Sequence, residues 1–226
     1  MNVNDIPDAE RARFNMIEQQ IRPWNVQDER LLKIVFDTPR EYFVPPQMRA
    51  LAFTDTELPL IIDGVDSREH MLSPKVETKL IEELLLQPSD CVLEIGTGSG
   101  YQAALVSRLC QQITSIEIDS RLAAFAQANL ARQHIDNVVL ETGDAHAGWG
   151  TAEYDAILVT GAVPCVPDAL KYQLAVGGRL VAIVGHSPIM TACRITRTGA
   201  GDFETTQIFD TWTKPLRGTA QSRFQF

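Results

Sequence analysis

The chain has 226 residues, 45% of them hydrophobic, with 20 Lys and Arg against 29 Asp and Glu, a formal charge of -9 and a pI near 4.9. That length fills one sizeable core with a small appendage, and the acidic field repels phosphate backbones and anionic lipid, which argues against nucleic acid or a membrane as partner. Cys91, Cys110, Cys165 and Cys193 form no C-x-x-C pair, the amino terminus lacks a basic segment followed by an apolar run, and no stretch is apolar enough for a bilayer, so buried reduced thiols, no metal centre and a cytoplasmic location are expected.

In chain order, Phe14, Ile17 and Ile21 recur at helical intervals and predict a helix over 9–21 that Pro23 and Asn25 stop. Asp28 is placed to cap a second helix with Leu31, Leu32, Ile34, Val35 and Phe36 on its apolar side, closed by Pro39. Residues 40–71 are interrupted by Pro45, Pro46, Pro59 and Gly64 and read as an irregular lid or wall. Ser73 then caps a helix with Pro74 in its first turn and Val76, Leu80, Ile81, Leu84 and Leu85 as its stripe.

From there strands and helices alternate as a parallel sheet requires: strands over 91–95, 113–118, 138–141 and 156–160, helices over 101–109, 121–133 and near 168–174. Val176-Gly177-Gly178 is expected to turn the chain into a strand over 179–184, and β-like runs over 191–196 and 203–209 predict an antiparallel end to the sheet. The expected fold is α/β, a doubly wound, mostly parallel, seven-stranded Rossmann-like sheet with an N-terminal helical cap. Cap and substrate loop are assigned to residues 1–73, packed on a core at 74–226 as one compact unit.

The strongest local signal is the run Val92-Leu93-Glu94-Ile95-Gly96-Thr97-Gly98-Ser99-Gly100, a buried strand entering glycines that open a helix. Glycines there let backbone amides approach a ligand, and the helix amino terminus offers unpaired N–H groups. A dinucleotide fingerprint starting at Gly96 needs glycine at 101, where Tyr101 stands, and starting at Gly98 it fails at Ala103. The observed E-x-G-x-G-x-G instead resembles the turn of S-adenosylmethionine enzymes, in which no pyrophosphate is cradled. Glu117 follows 21 residues after Gly96, at the end of the next strand, where an acid accepts both ribose hydroxyls. Gly143-Asp144-Ala145 ends the third strand and places Asp144 to meet the adenine amine. The candidate cofactor set is therefore Glu94, Gly96, Thr97, Gly98, Ser99, Gly100, Glu117, Ile118, Asp144 and Ala145, with S-adenosylhomocysteine as product.

Further stretches resemble one family. Met16-Ile17-Glu18-Gln19-Gln20-Ile21-Arg22, Pro39-Arg40-Glu41-Tyr42-Phe43-Val44-Pro45, Leu51-Ala52-Phe53, Leu58-Pro59-Leu60 and Gly177-Gly178-Arg179-Leu180-Val181 are similar to protein-L-isoaspartate O-methyltransferases over most of the chain. The resemblance implies methylation of the α-carboxylate of isoaspartyl residues in damaged proteins or peptides, which starts repair through a succinimide. It also implies a loop reading Thr-x-Ser, one residue, then Pro, whose hydroxyls orient the acceptor. Anchored on Pro74, that loop carries His70 and Leu72 in place of the hydroxyl residues, with Ser73 displaced by one. Ser73 and His70 are the candidate catalytic residues, Arg68 is a candidate partner for an acidic acceptor, and Thr213 is a candidate contact from the carboxyl-terminal stretch. Two alternatives stay open: the same cofactor with a different acceptor, because Leu72 removes the expected hydroxyl, or a non-catalytic cofactor-binding module.

Overall fold

A computed structural model describes residues 8–219. Residues 1–7, which open the segment expected to lack a leader, and 220–226, the end of the expected core unit, lie outside the described residues.

The amino-terminal helix is shorter than expected: α1 (Asp8–Met16) widens into a π-turn at Ile17–Ile21 and tightens to a 3₁₀ turn at Arg22–Trp24. Pro23 cannot donate to a continuing ladder, and Asn25, at φ 59°, ends it in the left-handed region. Helix α2 (Glu29–Asp37) is capped as its sequence predicts, the Asp28 carboxylate accepting from the N–H groups of Arg30 and Leu31 at 2.8 and 3.3 Å. It stops before Pro39, with Thr38 extended because a residue ahead of proline avoids the helical region.

The stretch expected to be irregular is ordered. After 3₁₀ turns at Arg40–Tyr42 and Pro46–Leu51, β1 (Leu58–Ile62) and β2 (Val65–Met71) form an antiparallel hairpin with Leu58 opposite Met71 and Ile62 opposite Val65. Asp63 and Gly64 turn it with φ of 50° and 77°, the pair of positive values a tight hairpin needs. Ser73 sits at the N-cap of α3 (Pro74–Glu82), but its side chain makes no capping hydrogen bond, contrary to the expected role.

The body is a seven-stranded sheet in the order β5-β4-β3-β6-β7-β8-β9. Strands β3 (Cys91–Ile95), β4 (Gln112–Glu117), β5 (Val138–Thr142), β6 (Tyr154–Val163) and β7 (Leu174–His186) are parallel, while β8 (Ile189–Arg197) and β9 (Phe203–Thr211) return antiparallel, as expected. The expected turn at 176–178 is instead an irregularity inside β7: Leu174 pairs with Tyr154, and pairing resumes only at Arg179 with Ala156. Helices α4 (Tyr101–Ser107), α5 (Ser120–Arg132) and α6 (Asp168–Tyr172) make the crossovers. One sheet face packs Leu80, Leu105 and Val181 together with Met16, Leu31, Phe43 and Leu60, so the amino-terminal segment shares the core of the body. The other face gathers Leu93, Ile116, Ile157, Leu180 and Leu170. Burial of the cysteines is only partly as expected, since Cys91 is half-buried and Cys165 exposed.

Strand β3 runs next to both β4 and β6, so the chain leaves it on one side and later returns on the other. The crevice outside the carboxyl ends of β3 and β6 is where such sheets take ligands.

Candidate active site

That crevice is a cleft of about 740 Å³, open to solvent. Gly96 forms its floor at φ 95°, and a Cβ there would lie 2.3 Å from Thr160 Oγ1, so only glycine allows β6 to approach this closely. The Thr160 hydroxyl itself bonds the carbonyls of Ile95 and Gly96, at 3.0 and 2.7 Å, and ties the turn to β6. On the other side the Glu117 carboxylate accepts from the N–H of Gly98 at 2.8 Å and of Asp119 at 3.0 Å, which locks the acid at the tip of β4. Burial raises its pKa against those two backbone hydrogen bonds.

The structure separates the ten candidate cofactor residues into groups. Gly96, Gly98, Glu117, Ile118, Asp144 and Ala145 line the cleft together. Thr97 and Ser99 line a smaller annex of about 290 Å³, which opens beside it between the glycine turn and residues 70–72. Gly100 faces Ala126 of α5, where a Cβ would come within 3.2 Å. Glu94 lines neither cavity: it is fully buried beneath the turn and accepts a short hydrogen bond from the Ser115 hydroxyl, which in turn meets Thr97 Oγ1 at 2.6 Å. Burial pushes its carboxyl up to about 8, so its geometry is that of a brace joining β3, β4 and the turn. Asp144 faces the cleft with His146 bonded to it. Burial opposes its charge, yet the side-chain and backbone hydrogen bonds from His146 outweigh that and hold the carboxyl low.

His70 and Leu72 line both cavities, whereas Ser73 and Arg68 line neither. Arg40, fully buried, donates to the carbonyls of Leu72 and Ala52 at 2.8 and 3.0 Å and pairs with the buried Glu77, fixing the loop ahead of α3. The carboxyl-terminal stretch expected to supply Thr213 forms a strap along the cleft, and Thr213 lines it. Residues 213–217 join β6 through hydrogen bonds between Ala162 and both Lys214 and Leu216, and Lys214 and Arg217 both reach Glu69 of β2, at 2.8 and 2.7 Å. Its signal was present in Lys214-Pro215-Leu216-Arg217-Gly218, but the partners lie some 145 residues earlier in the chain.

A parallel sheet reversing at β3, a glycine turn spaced for no pyrophosphate, and an acid fixed at the end of the neighbouring strand define the class I, S-adenosylmethionine-dependent methyltransferases. The sequence profile described as "Protein-L-isoaspartate(D-aspartate) O-methyltransferase (PCMT)" matches residues 11–219. The chain belongs to that family. A protein-L-isoaspartate O-methyltransferase of Rhodopseudomonas palustris (strain ATCC BAA-98 / CGA009) is 40% identical over 205 residues, 90% of this chain and 92% of the relative. One of Koribacter versatilis (strain Ellin345) is 39% identical over 207 residues, 91% and 90% of the two chains. A solved protein-L-isoaspartate O-methyltransferase superposes with a TM-score of 0.74 at 25% identity, over 93% of this chain and 66% of its own. A Plasmodium falciparum structure described as a complex with S-adenosyl-L-homocysteine, at TM-score 0.75 and 17% identity over 94% and 99% of the two chains, shares the fold.

Proposed function

We propose that this chain transfers a methyl group from S-adenosylmethionine to the α-carboxylate of isoaspartyl residues in proteins and peptides. The observation that carries the cofactor half is the Glu117 carboxylate, held at the cleft by two backbone N–H groups with lone pairs left for a ribose. The residues present fit the cofactor: Ile116, Ile118, Leu122 and Leu216 give apolar walls for a purine, and Asp144 and Ala145 stand at its edge. Gly96 and Gly98 leave room for the chain beyond the ribose, and the annex extends that path past Thr97 and Ser99.

When bound, the cofactor supplies an electrophilic methyl group on a sulfonium. An acceptor α-carboxylate, with a pKa of about 3.5, is already ionised at neutral pH, so the protein needs no general base. Its residues position the acceptor: β2 and the strap wall the cleft, joined by Lys214, Arg217 and Glu69. No helix among the described residues is long and apolar enough to cross a membrane, and we place the reaction in the cytoplasm.

Calorimetric titration with S-adenosylhomocysteine tests the cofactor, and turnover of an isoaspartyl peptide tests the acceptor. Heat of binding and release of S-adenosylhomocysteine from the donor are expected. A titration without heat or thermal shift would reject the cofactor. Binding without turnover of the isoaspartyl peptide would reject the acceptor and favour a different one, for which Leu72 in the cleft wall is the motive.

A further inference from the structure

The loop ahead of α3 brings no hydroxyl to the cleft, because Leu72 occupies the wall and Ser73 lines neither cavity. Two hydroxyl side chains line the cleft among the described residues, Thr160 and Thr213. Thr160 is committed to the carbonyls of Ile95 and Gly96. Of the cationic donors there, Lys214 is held by the Arg68 carbonyl and Glu69, and Arg217 by Glu69 and the Ser67 carbonyl. Thr213 is different. It is buried, delivered by the strap, and bonded through Oγ1 to a single partner, Glu57 Oε1, at 3.1 Å.

We propose that Thr213 is the hydroxyl that orients the acceptor carboxylate in this chain, backed by Glu57 and assisted by the His70 ring. The role that the loop ahead of α3 leaves vacant is thus filled from the carboxyl-terminal strap. The geometry has a direct chemical sense. A hydroxyl carries one hydrogen and two lone pairs, so what its partner does decides where that hydrogen points. An ionised Glu57 takes the hydrogen; a neutral Glu57 donates to Oγ1 and releases the Thr213 hydrogen to the cleft. Burial favours the neutral form, against the Thr213 hydrogen bond and the neighbouring His70. An incoming carboxylate, itself an anion beside Glu57, adds to burial in favouring that neutral form, and on protonation of Glu57 it meets the Thr213 hydroxyl as a donor, with its other oxygen free to face the methyl group.

This inference rests on the isoaspartyl reading above. Thr213→Val keeps the shape and removes the hydroxyl, and Thr213→Ser keeps the hydroxyl. The expected result is a fall of about tenfold or more in kcat/KM for an isoaspartyl peptide in T213V, most of the activity retained in T213S, and an S-adenosylhomocysteine Kd unchanged in both. Wild-type kcat/KM in T213V, or equal losses in T213V and T213S, overturns the assignment. So does a parallel weakening of S-adenosylhomocysteine binding, which would place Thr213 on the cofactor instead. Thermal melts of both variants separate these results from a folding defect, since a structural loss would lower the midpoint and both kinetic and binding values together. If the wild type binds S-adenosylhomocysteine but does not turn over the peptide, the acceptor reading itself fails and takes this one with it.

Discussion

Two acids 23 positions apart in the chain illustrate how burial decides a carboxylate's task. Glu94 lies under the glycine turn with one oxygen bonded to Ser115 and the other unpartnered. Its carboxyl titrates near 8 in the folded protein, through burial, against about 4.5 when unfolded. The folded state therefore binds the proton more tightly, and the associated stability is fully present below pH 4.5 and lost as pH rises to about 8, at about 1.4 kcal/mol per unit. Glu94→Gln keeps a neutral hydrogen-bonding group and is expected to flatten this decline. The gap in thermal midpoint between variant and wild type should widen from pH 6 to pH 9. Glu117 stands at the cleft with both oxygens already taken by N–H donors, so an amide at this position must turn an N–H against one of them. Glu117→Gln should weaken S-adenosylhomocysteine by about 10- to 100-fold, as loss of hydrogen bonds to a charged group does, with calorimetry as the measure.

Among the elements, the loop between β2 and α3 depends on a buried ion pair. Arg40, with no exposed surface, holds the carbonyls of Leu72 and Ala52, packs over the Tyr101 ring at 4.9 Å and meets Glu77 of α3. Burial raises the Glu77 carboxyl to about 7 even with Arg40 beside it, so desolvation offsets much of the attraction. Arg40→Met leaves an acid buried without its partner and should cost about 3–5 kcal/mol in urea denaturation, whereas Arg40→Met combined with Glu77→Leu should recover most of that loss. The double variant also loosens the Leu72 carbonyl, so its recovery in stability should not be matched by recovery of peptide turnover. Helix α2 and the hairpin show what is readable at this scale. Asp28 and the apolar side of α2 announce the helix, because capping and a 3.6-residue period are local. The hairpin had Asp63-Gly64 as a turn signal, but Pro59 in β1 and the polar run from Asp66 to His70 in β2 hide the alternation, as the edge position of the pair permits.

At the scale of the whole molecule, the charge of -9 acts on every approaching substrate. Isoaspartyl peptides flanked by lysine should show a higher kcat/KM than peptides flanked by aspartate at low ionic strength. The ratio should fall towards one as salt rises to about 0.5 M, since screening shortens the range of the field to a few ångströms. A ratio indifferent to salt would assign the preference to direct contacts in the cleft. The strap matters here too: it joins β6 to β2 through Ala162, Lys214, Arg217 and Glu69, so one side of the cleft is built from segments some 145 residues apart in the chain.

The alternation of strands and helices, the glycine turn and the spacing to Glu117 were determined by the sequence alone, because hydrophobic period, turn chemistry and residue spacing act over a few tens of residues at most. Only the tertiary structure decided that Glu94 lies beneath the turn rather than in the cleft, that Ser73 turns away from it, and that Thr213 meets Glu57 at the cleft wall. Each of those outcomes depends on which groups lose contact with water when segments more than a hundred residues apart, such as β2 and the strap, are brought together, and no local pattern records that.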